Sequence, residues 1–85
     1  MAQSRAKKIQ VRYYALLREE RGLKEETVTT SANSVKELYE SLRKKHGFRL
    51  DTEFLKVAIN EEFMEWNTPL KTGDSVVFVP PVAGG

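Results

Sequence analysis

The chain has 85 residues, enough for one hydrophobic core and too few for two domains. Its 40% hydrophobic and 31% charged residues, with a net charge of +2 from interspersed signs, exclude a disordered chain and argue against nucleic-acid binding, which calls for a basic stripe. Cysteine is absent, so a disulfide framework, a thiolate metal site and a cysteine nucleophile are excluded, and a single histidine with no acidic cluster at ligand spacing leaves no metal expected.

Residues 1–8 read as a flexible, basic, polar extension. They lack the apolar stretch of a secretory signal, and no segment approaches the roughly 18 apolar residues of a membrane span, so a cytoplasmic chain with no membrane partner is expected. Ile9, Val11 and Tyr13 then alternate with Gln10, Arg12 and Tyr14, the period-two pattern of a strand with one buried face. Ala15 to Arg21 are mostly good helix formers and end at Gly22, which predicts a short helical turn inside a connection. Glu25 to Thr30, β-branched at their end, form a second strand antiparallel to the first.

Val35, Leu38, Tyr39 and Leu42 fall at i, i+3, i+4 and i+7, one face of an amphipathic helix. Ser34 followed by Glu37 is a capping box, in which each side chain satisfies a backbone donor left unpaired by the first turn. At the other end Arg43, Lys44, Lys45 and His46 sit at the negative pole of the helix and Gly47 closes it. That position accounts for the basic run and the lone histidine without nucleic acid.

The apolar run Phe54 to Asn60 predicts a strand, Asn60 to Glu62 a turn, and Phe63 to Trp66 a short strand. After a turn from Pro69 to Asp74, Ser75 to Val79 is the most β-prone stretch. Strands and helices do not alternate regularly, so the fold is α+β, a mixed sheet of four or five strands with one main helix on one face. One helix covers one face only. In Val76-Val77-Phe78-Val79 both parities are apolar, and Tyr14 opposes Tyr13. One apolar set therefore faces away from the helix, into either an overlying loop or a protein interface.

The segment Pro80-Pro81-Val82-Ala83-Gly84-Gly85 follows the last strand directly. The prolines hold an extended backbone and remove two amide donors, so the segment is expected to leave the sheet as a tail reaching on the order of 20 Å. Paired glycines can enter a narrow channel. The group left to react is the terminal carboxylate of Gly85, ionised at neutral pH and able to attack the α-phosphate of ATP. The domain proper is then 9–79 and the tail 80–85.

The sequence resembles the small subunit of molybdopterin synthase, the MoaD-type sulfur carriers of the ubiquitin-like β-grasp superfamily. The resemblance runs from Ile9 to Gly85. Its carriers are Val11-Arg12-Tyr13-Tyr14-Ala15, Leu17-Arg18-Glu19, Ser34-Val35 with Leu38, Val57-Ala58-Ile59-Asn60, Pro69-Leu70 with Gly73-Asp74 and Val76, and above all the segment from Phe78 to Gly85. Related carriers for thiazole synthesis and tRNA thiolation share the paired glycines but usually lack Pro-Pro-Val before them.

The resemblance implies a non-catalytic, sulfur-donating subunit that binds no cofactor. An E1-like enzyme would adenylate Gly85 with ATP and a persulfide donor would convert it to a thiocarboxylate. The tail, Pro80, Pro81, Val82, Ala83 and Gly84, would then enter the large synthase subunit and deliver sulfur to cyclic pyranopterin monophosphate. Catalytic side chains would belong to that subunit, and the assembly would be a heterotetramer. The family's apolar partner-facing positions fall on Tyr14, Phe63 and Val79. A ubiquitin-like modifier using the same activated Gly85, a sulfur carrier for another pathway such as thiazole synthesis or tRNA thiolation, and a passive binding module remain alternative readings. Trp66, in the turn before Pro69, reads as a residue packed over the core edge, with no functional role assigned.

Overall fold

The structure, a computed structural model, describes residues 6–81. The elements are β1 (Lys7–Tyr13), α1 (Ala15–Arg21), β2 (Glu25–Thr30), α2 (Val35–His46), β3 (Lys56–Ile59), β4 (Glu62–Met64) and β5 (Ser75–Val79). The five strands form one mixed sheet in the order β2-β1-β5-β3-β4. Only the central β1–β5 pair is parallel, so the first and last strands of the chain lie side by side with their C-terminal ends together. Pairing starts at Lys7, opposite Thr30, two residues before the apolar alternation becomes visible. Lys7 and Lys8 give the ladder their backbone and the core nothing.

The helix-side face of the sheet carries Ile9, Val11 and Tyr13 from β1, Val76 and Phe78 from β5, and Val57 and Ile59 from β3. The α2 stripe Val35, Leu38, Tyr39 and Leu42 is buried in the same cluster, as its spacing predicts. Tyr39 meets the edge of Phe78 at 5.0 Å between centroids and stacks on Phe48 at 6.0 Å. Its hydroxyl donates to the Leu50 carbonyl at 2.6 Å, so this inserted phenol is satisfied.

The start of α2 is capped by two parts of the chain. Ser34 accepts from the Glu37 N–H at 3.3 Å, and the Glu37 carboxylate accepts in return from the Asn33 N–H, one residue ahead of the cap itself. The remaining donors of the first turn are met from the β4–β5 connection: Val35 N–H donates to Thr68 O and Lys36 N–H to Trp66 O. At the far end Gly47, at φ 74°, sends its N–H to Arg43 O at 2.7 Å.

Two strands are shorter than the apolar runs suggest. Residues Thr52–Phe54 form a 3₁₀ turn, because the Asp51 carboxylate accepts from the Thr52 N–H at 2.9 Å and draws the chain into a local turn ahead of β3. β4 ends at Met64, since Trp66 turns inward to stack on Phe78 with ring planes 6° apart. Asn60 and Glu61, both at positive φ, form the two-residue loop between β3 and β4.

Candidate functional site

Three strand ends meet at Val79. β1 and β5 run parallel and finish together, with Tyr13 opposite Phe78, while β3 runs antiparallel to β5 and begins opposite its end, with Lys56 opposite Val79. The chain leaves the sheet at this junction. β5 ends at Val79, and of the two prolines that follow Pro80 is buried and Pro81 exposed. Val82, Ala83, Gly84 and Gly85, the rest of the expected tail with its reactive carboxylate, lie outside the described residues.

Tyr14 continues β1 in extended conformation, at φ −125° and ψ 154°, and so points to the side opposite Tyr13, away from α2. It is 46% exposed. Tyr14 and half-buried Val79 line one apolar cavity of about 560 Å3 together with Leu16, Leu50, Pro80 and Pro81. On the other side of the same proline ridge lies a second cavity of about 430 Å3, walled by Glu53, Phe54, Leu55 and Lys56.

Phe63 lies on the same open face but not in the same cluster. The cross-strand register places Arg12, Val77, Ala58 and Phe63 in one row over β1, β5, β3 and β4. Phe63 is 68% exposed at the end of that row, with Lys56 Nζ 5.9 Å from its ring centre. The surplus apolar parity of β5 is thus resolved. Val76 and Phe78 are buried under α2, while Val77 and Val79 form the half-buried middle of the open face. Tyr14, Val79 and Phe63 share this face, and the first two adjoin the root of the C-terminal segment.

Phe54 and Leu50 flank that root without having been singled out in the sequence. Phe54 reads as the first residue of a strand there. Only the Asp51 turn puts it beside the prolines, 54% exposed.

Three titratable groups near this end of the sheet, Tyr13, Arg21 and Glu26, are engaged with one another. Tyr13 donates to Glu26 at 2.6 Å, and Arg21 donates to both carboxylate oxygens of Glu26 at 2.9 Å. The Arg21 contact holds Glu26 below the usual carboxylate range, and burial, followed by Glu26, pushes the Tyr13 phenol up. Burial and then the Arg21 charge lower His46. Tyr13, Arg21 and Glu26 work as a clamp between β1, α1 and β2, with both carboxylate oxygens of Glu26 taken up. Among the described residues no group of three or more His, Cys, Asp or Glu could hold a metal ion, and no helix is long and apolar enough to cross a membrane.

The model of the ThiS family matches residues 11–85. A chain in the protein–protein complex of subunits 1 and 2 of molybdopterin-converting factor from Helicobacter pylori 26695 is 34% identical, with a TM-score of 0.62 over 92% of this chain and 99% of that one. A protein named molybdopterin converting factor, subunit 1, from Pyrococcus furiosus is 29% identical, with a TM-score of 0.74 over 89% of this chain and 99% of that one. Small archaeal modifier protein 1 from Methanosarcina acetivorans, at 23% identity and a TM-score of 0.75 over 94% and 98% of the two chains, shares the fold alone. No curated protein matches the chain. The fold is the ubiquitin-like β-grasp, of the kind found in ThiS and MoaD-type sulfur carriers.

Proposed function

The chain belongs to the ThiS family, and from that premise we propose that it is the sulfur-carrying subunit of molybdopterin synthase, acting through the carboxylate of Gly85. The observation that carries the reading is the placement of Val79-Pro80-Pro81 at the junction of three strand ends, beside exposed Tyr14 and continuous in sequence with Gly84-Gly85. The 34% identity to a chain of the Helicobacter pylori molybdopterin-converting factor complex supports this branch of the family over the others.

The chemistry needs no side chain of this protein. On an E1-like activating enzyme the Gly85 carboxylate attacks the α-phosphate of ATP and expels pyrophosphate, giving an acyl-adenylate. A persulfide sulfur attacks the acyl carbon and displaces AMP. Reduction of the resulting acyl disulfide by a thiol leaves the thiocarboxylate. In the large synthase subunit that sulfur attacks an oxygen-bearing carbon of cyclic pyranopterin monophosphate and the oxygen leaves as water. Hydrolysis of the acyl–sulfur bond of the resulting thioester then leaves the sulfur on the pterin and returns Gly85 to the carboxylate. The carrier's own contribution is recognition and delivery. The open sheet face, with Tyr14, Val79 and Phe63, docks on the partner in a cytoplasmic heterotetramer, and the proline ridge aims the tail.

Intact-mass measurement of the protein purified from its host tests the reading. Replacement of one oxygen by sulfur at Gly85 supports it. Branched adducts of the C-terminus on lysines of other proteins would assign it as a modifier instead. An unmodified terminus after incubation with activating enzyme, ATP and a persulfide donor would overturn both. A thiocarboxylate that sulfurates a thiazole precursor or tRNA, and not the pterin, would move it to another pathway.

A further inference from the structure

On the sulfur-carrier reading the reacting carboxylate is that of Gly85, four residues beyond Pro81. At no more than about 3.3 to 3.6 Å per residue, that carboxylate lies at most about 14 Å beyond Pro81. An enzyme that acts on it about that deep inside a channel must therefore bring the channel mouth down onto Pro81 and the surface around it. That surface has two sides. The β1 side presents Tyr14, Leu16 and Leu50, and the β3 side presents Phe54 and Leu55 across the shared ridge of Val79, Pro80 and Pro81.

We infer that Phe54 is a partner-contact residue, gripped by an apolar lip of the tail-receiving channel on the opposite side of the root from the lip that meets Tyr14. The inference rests on the sulfur-carrier reading, and the occupant is the large synthase subunit. A phenylalanine that is 54% exposed in a small domain has an unused apolar face. Its backbone is also held in place. Phe54 N–H donates to Asp51 O and Leu55 N–H to Thr52 O, both at 3.0 Å, while the Asp51 carboxylate is bridged by Arg43 at 3.2 Å. With its backbone already held by the turn, Phe54 has only its side-chain rotamers left to order when a partner covers the ring. The two grooves share one ridge, so a mouth that closes around the tail covers both.

The test titrates the full-length carrier and its Tyr14→Ala, Phe54→Ala and Phe54→Leu variants into the cognate large subunit by calorimetry, with thermal unfolding of each carrier alone. Phe54→Ala is expected to weaken binding about tenfold, as truncation of an aromatic anchor does. Phe54→Leu should restore most of the affinity, and both variants should melt like the parent. Parental binding by Phe54→Ala alongside a weakened Tyr14→Ala would overturn this inference and leave the carrier reading standing. A large subunit that does not bind the parent carrier removes the carrier reading and this inference with it. Loss of affinity matched by a lowered melting midpoint in both Phe54 variants would make the ring structural and likewise overturn the inference.

Discussion

The Tyr13 hydroxyl reaches from the core to donate to the Glu26 carboxylate at 2.6 Å, and the same carboxylate takes two hydrogen bonds from Arg21 at 2.9 Å. One residue of β2 thereby holds β1 and the end of α1 together at the side of the sheet where Tyr14 leaves. Tyr13→Phe removes a hydrogen bond to a charged group and is expected to lower stability by about 1–2 kcal/mol. Glu26→Gln should cost at least as much, since Arg21 loses its paired charge where both side chains are largely covered. Urea unfolding of the two single variants and the double variant checks this. The double variant should lose less than the sum, because the two changes remove the same contact.

Stability should pass through a maximum between about pH 7 and 9. His46 and Glu26 have folded values below their ordinary ones, so the unfolded chain binds more protons than the folded one as pH falls. The His46 contribution is present above about pH 6.5 and fades below it, and that of Glu26 fades below about pH 4.3. Tyr13 and Tyr39 are raised by burial, Tyr39 to about 12, so their contribution is complete below about pH 10 and is lost as pH rises beyond it. Melting midpoints from pH 4 to 11 report the curve. In His46→Gln the decline between about pH 7 and 5 should flatten.

Trp66 is held at 6.0 Å from Phe78, nearly parallel to it, and its carbonyl accepts from the Lys36 N–H at the start of α2. Trp66→Ala opens the core edge beside Phe78 and loosens the loop that caps the helix. The expected loss is about 2–3 kcal/mol, below that of a fully enclosed aromatic because Trp66 is half-buried. Guanidinium unfolding followed by circular dichroism measures it. An unchanged midpoint would show that the loop caps α2 without the ring.

Deletion of Gly85 is expected to abolish sulfur transfer to the pterin while shifting the melting midpoint by no more than about 1 °C, since surface changes away from core contacts stay within about 0.5 kcal/mol. Sulfuration by the reconstituted synthase and calorimetric melting are the paired readouts. A large drop in the midpoint would make the tail part of the folded domain.

Much of the architecture was legible in the residue pattern. The stripe Val35, Leu38, Tyr39 and Leu42 gave the helix, Ser34 and Gly47 its ends, and the alternation from Ile9 to Tyr13 the first strand. The beginning of β3 was not legible, because Phe54 and Leu55 are as apolar as the strand that follows and only the Asp51 turn separates them. Trp66 was readable as a packing residue, but its ring partner and its backbone role at α2 come from segments about 12 and 30 positions away. The β1 boundary was hidden because Lys7 and Lys8 pair through backbone atoms that carry no side-chain signature.

The root of the tail divides along the same line. Local chemistry determined its identity by itself: two prolines end the ladder by withholding donors, two glycines follow without side chains, and the alternation fixed Tyr14 and Val79 on the face opposite Tyr13 and Phe78. Only the tertiary structure decided what surrounds it. Parallel pairing of β1 with β5 and antiparallel pairing of β3 with β5 bring residues 14, 54 and 79 to one end of the sheet. Strand order arises from burying one helix face against one sheet face, a condition on the whole chain that no short window of sequence contains.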